Sequence, residues 1–355
     1  MYSVTYKYLS NERIDRNVLS VLIGNDECRQ PFKASIFNTK IETGINKTIK
    51  KEEAKSNDSG LKAFTKNIDS YKFIGGEEIF QITPDYFRCR SDKGTFSKAQ
   101  FIQNAGLSEI KMIELDLSGT AKARYQGFST CKVGKTIPIN PRAVFSTLGY
   151  REFAEAESML HFVDSLREFS NGKPVGIKLC VDRKEFHEIC YAIRKTGLFP
   201  DFIVVEGFTT TDNFSQANSK CNVRMPLYEG LLFVSKTLQT YGLEKHIKII
   251  ASANVVSAFD VLKILALGAD MVCSEMPGLS INYYDSSRLV KSIQDAVNFQ
   301  NNIMSNIVTI MEACGFRSVY DLTLPNFFRK LDELQLAVLH VPGNALVNPG
   351  WQKVS

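Results

Sequence analysis

The chain has 355 residues, 44% of them hydrophobic and 23% charged, enough to bury a large core in one α/β barrel or two medium domains. The net charge of +5 is uneven: residues 1–150 hold 23 Lys/Arg against 16 Asp/Glu, and residues 151–355 hold 20 against 22. The basic stretch from Lys47 to Lys72 is dilute and poor in aromatic residues, so a solvated lysine face is expected there and no nucleic-acid partner. Met1 to Tyr6 shows no basic region leading into an apolar run, and no segment reaches the length of a membrane span. A cytoplasmic protein is expected.

In chain order, Glu78–Ile82 and Lys111–Leu115 read as strands, separated from the start by the polar stretch Ile49–Asp69, a loop or weak helix. Leu160–Phe169 reads as a helix stopped by Asn171-Gly172 with Pro174 beyond. A repeated unit follows: apolar run, turn, amphipathic stretch. Val175–Cys180 is a strand, and Phe186, Ile189, Cys190 and Ile193 then fall on one helical face. Asp201–Gly207 is a strand, Leu227–Tyr241 a helix, Lys248–Ser252 a strand, Phe259–Leu267 a helix and Ala269–Ser274 a strand. Nearly continuous apolar runs suit parallel strands covered on both faces. The alternation selects a parallel α/β fold, and the absence of G-x-G-x-x-G or a P-loop favours a barrel over a doubly wound sheet. Ser287–Cys314 is expected as a long helix interrupted at Asn301-Asn302. The expected fold is a (β/α)₈ barrel over residues 34–320, with an N-terminal extension (1–33) and a C-terminal helix and irregular tail (321–355).

The 8 cysteines form no C-x-x-C pair and no metal-ligand spacing, so they read as buried small hydrophobes in a reducing compartment. The four histidines show no H-x-x-x-H spacing, and no serine sits in G-x-S-x-G, leaving hydrolase and metal-enzyme readings without local support. Barrel sites form where strands end at the βα loops. That rule selects Gln81, Lys178, Glu206, Ser252, Asn254, Ser274 and Glu275. Lys178, flanked by Gly176, Ile177, Leu179 and Cys180, either meets an anionic ligand inside the barrel or forms a core salt bridge with Glu206 or Glu114. Glu206 closes an apolar strand and is either a mouth acid or base, or an internal partner. Ser252, Asn254 and the Ser274–Leu279 turn occupy the positions of a barrel phosphate site, where Gly278 alone supplies backbone freedom and Glu275 opposes an anion.

Several strings together resemble the stand-alone FMN-binding, glutamate-synthase-like family, relatives of the central domain of the glutamate synthase large subunit. They are Glu78 to Arg90, Asn104-Ala105, Lys111-Met112-Ile113-Glu114, Gly172 to Cys180, Pro200 to Val205, Pro226 to Leu231 and Ala266 to Asp270. The resemblance spans roughly residues 30–320 and implies a barrel carrying FMN at its mouth, usually with a 3Fe–4S cluster. It implies roles for Gln81 and Lys178 beside the flavin, for Ser252 near its phosphate, and for Glu206 leading into a flavin loop.

The departures are as informative. The family's Gly-Glu-Gly-Gly-Thr-Gly loop is replaced by Glu206-Gly207-Phe208-Thr209-Thr210-Thr211-Asp212, and Ala-Ser-Gly-Lys by Ala251-Ser252-Ala253-Asn254. Glycine accepts positive φ and close ligand approach; Phe and Thr do neither readily. The cysteine-rich cluster segment is missing, with no cysteine between Cys273 and Cys314, so no iron–sulfur cluster is expected. The expected function is a diverged barrel without redox catalysis, binding a protein partner or a small polar or anionic ligand. The alternative is an FMN-dependent oxidoreductase with a rebuilt flavin site, using Lys178, Gln81 and Glu206 as catalytic residues and Ser252, Asn254, Ser274, Gly278 and Lys178 to hold the cofactor.

Overall fold

The computed structural model describes residues 19–24, 28–42, 70–73, 78–82, 96–117, 153, 155–207, 225–275 and 286–322. A hairpin comes first, β1 (Ser20–Ile23) paired antiparallel with β2 (Phe32–Ser35). Then follow β3 (Phe37–Glu42), β4 (Ser70–Phe73), β5 (Glu78–Ile82), α1 (Lys98–Ala105), β6 (Ile110–Asp116), α2 (Ala156–Phe169), β7 (Val175–Cys180) and α3 (Arg183–Thr196). β8 (Phe202–Glu206), α4 (Leu227–Tyr241), β9 (Lys248–Ser252), α5 (Ala258–Ala266), β10 (Met271–Glu275), α6 (Ser286–Cys314) and a 3₁₀ turn (Val319–Asp321) complete the order.

Strand pairing runs β3-β4-β5-β6-β7-β8-β9-β10, and β10 pairs in turn with β3. The sheet is therefore strongly curled and TIM-barrel-like, flanked by helices. Seven strands run parallel, whereas β4 is antiparallel to both β3 and β5. This corrects the strict strand–helix alternation expected of a (β/α)₈ barrel. Only residues 74–77 separate β4 from β5, too few for a parallel crossover, so the pair must turn back as a hairpin.

Helix ends follow local chemistry. Asp182 accepts the Glu185 N–H at 2.9 Å to start α3, and Gly197 ends it at φ +74°, a conformation free of Cβ strain only for glycine. Ser257 and Asp260 form a capping box at the head of α5. The expected stop after α2 is realised: Asn171 and Gly172 both take positive φ, 62° and 81°. α6 runs unbroken through Asn301 and Asn302, correcting the expected interruption. Both asparagines are exposed, and such positions cost a helix only tenths of a kcal/mol, about 0.5.

The period-two pleat sorts the parallel strands into two cores. Ile113, Leu115, Val175, Ile177, Ile203, Val205, Ile249, Ala251 and Val272 face outward and pack under the helices. Facing inward, Phe73, Ile79, Met112, Phe202, Val204, Ile250 and Met271 form a second core, joined by Val21, Ile23, Phe32 and Ala34 of the β1–β2 hairpin. The hairpin thus plugs the end of the sheet where the parallel strands begin. It is pinned there by Gln30 N–H donating to Gly172 O (3.0 Å) and by the Cys28 thiol on Asp201 Oδ1 (3.0 Å). Asp201, fully buried, also accepts from Val175 N–H (2.8 Å) and Arg167 Nε (3.2 Å). Gly176 belongs to this layer because a Cβ there would lie 2.3 Å from the Phe202 ring.

Candidate functional site

Toward the strand C-termini the inward positions change from apolar to polar. Register does this directly. Gln81 on β5 stands opposite Glu114 on β6, Asp116 opposite Lys178 on β7, and Cys180 opposite Glu206 on β8, which in turn stands opposite Ser252 on β9. Residues two apart on each strand share the inner face, so one ring of polar groups lines the mouth.

Lys178 lies at the centre, 5% exposed, its Nζ 3.1 Å from Glu206 Oε1. Glu206 is half-buried, and its Oε2 accepts from the Cys180 thiol at 3.7 Å. Deeper, Glu114 accepts from Tyr71 Oη (2.9 Å) on one oxygen and from Gln81 Nε2 (2.8 Å) on the other. The same Gln81 nitrogen reaches Asp116 Oδ2 at 3.1 Å. Lys40 on β3 stands over the Tyr71 ring, 4.2 Å from its centroid.

Burial disfavours the charge of Lys178, but Glu114, Glu206 and Asp116 together outweigh it and hold the ammonium protonated well above the ordinary lysine value. Glu114 is shifted upward by burial and by Asp116, against the opposing pull of Lys178, Lys40 and the Tyr71 hydrogen bond. Burial and the neighbouring Glu114 push the Tyr71 phenol well above its usual range. The network therefore carries a fixed cation surrounded by carboxylates, each anchored by donors from a different strand.

The other expected site residues divide. Ser252 is half-buried at the end of β9, whereas Asn254 is exposed on the following loop. Ser274 faces away from the lumen; its Oγ accepts the Val255 N–H at 3.1 Å and ties down the β9–α5 loop. Gly278 lies outside the described residues, as do Phe208 to Asp212, and nothing is described of the Glu275 side chain. Gly207 is required for close approach, since a Cβ there would sit 2.5 Å from the Leu227 Cα at the head of α4. Tyr71 and Asp116 escaped the sequence reading. Tyr71 comes from the antiparallel strand, where no βα-loop rule applies; its one signal is the alternation Tyr71, Phe73. Asp116 lies one residue beyond the strand that was expected.

The cysteine expectation needs a correction. Cys190 and Cys273 are buried, and burial pushes the Cys190 thiol up to about 12. Cys28 and Cys180 are only half-buried and Cys314 is exposed, because they stand at a docking loop, at the mouth and at a helix end. Among the described residues no group of three or more His, Cys, Asp or Glu is placed to hold a metal ion, and no helix is long and apolar enough to cross a membrane.

Fold and mouth together define an α/β protein of TIM-barrel-like architecture with a polar, carboxylate-rich opening. The family model for the conserved region in glutamate synthase matches residues 49–279, and the chain belongs to that family. It is 32% identical over 212 residues to the glutamate synthase large subunit-like protein YerD of Bacillus subtilis (strain 168). That match covers 58% of this chain and 40% of the relative, so the chain spans well under two thirds of the protein it matches. Solved structures that align include a mandelate oxidase Y128F variant with 4-Br-2-hydroxy-methylphenylacetate: 17% identity, TM-score 0.40, 70% of this chain and 63% of that one. A lactate oxidase of Pediococcus acidilactici aligns at 18% identity and TM-score 0.38, covering 69% and 58%.

Proposed function

We propose that this is a diverged glutamate-synthase-like barrel protein that has given up flavin and iron–sulfur redox catalysis and acts by binding, as a regulatory or partner protein. The observation that carries the reading is the enclosure of Lys178. The mouth cation that an anionic cofactor would use is already held by Glu206 at 3.1 Å, with Glu114 and Asp116 behind it. Counting Lys40, the described mouth sets two cations against three carboxylates. A ring that accumulates negative charge on reduction does not fit there, because each added anion meets carboxylates in a poorly screened interior. Such a mouth suits a polar ligand that is neutral or cationic, or a partner's polar side chain, more than the anionic ligand the loops' ancestry suggests.

The test is the absorption spectrum of the purified protein followed by calorimetric titration with FMN. A colourless protein with no saturable uptake in the micromolar range is expected. Stoichiometric flavin in the purified protein overturns the reading. The alternative, an FMN-dependent oxidoreductase with a rebuilt flavin site and no cluster, draws on the retained, protonated Lys178 and on Ser252 standing half-buried at the same rim.

A further inference from the structure

Three side chains of different chemistry converge on the mouth from two neighbouring strands. Lys178 and Cys180 share the inner face of β7, one pleat period apart, and Glu206 on β8 stands opposite Cys180. The two Glu206 oxygens divide between them. Oε1 lies 3.1 Å from Lys178 Nζ, and Oε2 accepts from the Cys180 thiol at 3.7 Å.

This is the arrangement of a nucleophile, a base within its reach and a third group that orients the base. Lys178 is the orienting group: it is buried, and Glu114, Glu206 and Asp116 keep it protonated, so one end of the Glu206 carboxylate is fixed. Strand register then brings the other end to the thiol. The pair is open to a small reagent, since the Glu206 side chain is 37% exposed and Cys180 is half-buried. Cys190 differs on both counts, being sealed in the outer core, where burial pushes its thiol up to about 12.

We propose that Cys180 is a covalent capture site for small, uncharged α,β-unsaturated carbonyl compounds, with Glu206 as the base and Lys178 as the cation that meets the carbonyl oxygen. The assignment rests on the reading that the mouth is free of flavin. As the sulfur bonds to the β-carbon, the thiol proton passes to Glu206 Oε2 and the C=C electrons move onto the carbonyl oxygen as an enolate. Protonation neutralises Glu206, which releases the Lys178 charge to the enolate oxygen. Along β7 the two side chains stand about 7 Å apart, a span that an enone bridges, because its oxygen lies three bonds beyond the carbon that takes the sulfur. Glu206 then returns the proton to the α-carbon, leaving a thioether and the original ion pair. The addition keeps every atom of both reactants and uses no oxidant or reductant. It also leaves the net charge of the mouth unchanged, whereas Glu206, Glu114 and Asp116 all disfavour an electrophile that carries a carboxylate.

The experiment adds a substoichiometric amount of N-ethylmaleimide to the full chain at several pH values, and peptide mass mapping compares the label on Cys180 with that on exposed Cys314. An absorption spectrum of the same sample is taken first. At about pH 6 Cys180 is expected to take at least about tenfold more label than Cys314. This excess should shrink toward about pH 8, because an unassisted thiol gains about tenfold per pH unit with its thiolate fraction while transfer inside the pair does not. Glu206→Gln, nearly isosteric and at a partly exposed position, should abolish the excess and its pH dependence. The acidic counterpart 3-maleimidopropionate should show no excess at Cys180. A colourless chain whose Cys180 labels no faster than Cys314, or whose excess survives Glu206→Gln or is matched by the acid, overturns this proposal alone. Flavin in the purified chain overturns it together with the reading on which it rests.

Discussion

The two ends of the barrel lumen are built from the same strands to opposite specifications. At the plugged end, Phe202, Met112, Met271 and Phe73 interlock with the hairpin. A polar device beside them, Asp201 with Arg167 and Cys28, spends its hydrogen bonds on holding chain segments together. At the mouth, a shift of two residues along each strand replaces apolar side chains with Gln81, Glu114, Asp116, Lys178 and Glu206. The difference teaches where adaptation acts. Packing at the plugged end is set by volume and tolerates little change, whereas the mouth is held by hydrogen bonds and ion pairs, with three carboxylates around two cations among the described residues.

That contrast can be broken at the plugged end first. Phe202→Ala should cost about 3–5 kcal/mol in denaturant unfolding, because a fully buried ring in the layer between Gly176 and the hairpin is lost without a replacement. Asp201→Ala should cost about 3 kcal/mol, since it strands the buried Arg167 guanidinium and frees the hairpin loop. Faster proteolysis around residues 28–30 should accompany it.

Mouth variants should act through pH more than through packing. The folded pKa of Glu114 lies above its unfolded value of 4.5. The native state therefore holds its proton longer, and Glu114 lowers stability progressively as pH rises from 4.5 through the folded value. Glu114→Gln should accordingly gain stability relative to the parent across that window, read from unfolding midpoints at several pH values. A gap that is constant with pH would refute the assignment. Glu206→Gln should cost less than about 1 kcal/mol, because its partly exposed pair with Lys178 is screened by water. Smallest of all, Thr39→Val should be neutral or stabilising by about 0.5 kcal/mol, since Thr39 Oγ1 is buried without a hydrogen-bond partner among the described residues.

Much of the strand–helix order was legible because its signals are local. Val175–Cys180, Lys248–Ser252, Glu78–Ile82 and Leu227–Tyr241 coincide with the elements expected from apolar runs and turn residues, and the Asn171-Gly172 stop needs only backbone conformation. Lys178 and Glu206 could be singled out as charges closing or interrupting apolar strands. The sequence alone therefore determined the α/β class, much of the strand and helix order and the family.

Only the tertiary structure decided who meets whom. Whether Lys178 pairs with Glu206 or Glu114 depends on strand register across β6, β7 and β8, and both carboxylates turn out to surround it. The arrival of Tyr71 on Glu114 and the plugging of one end by a distant hairpin are pairings between segments far apart in the chain. No local propensity encodes them. They are selected when the sheet curls and each strand must satisfy both of its neighbours at once.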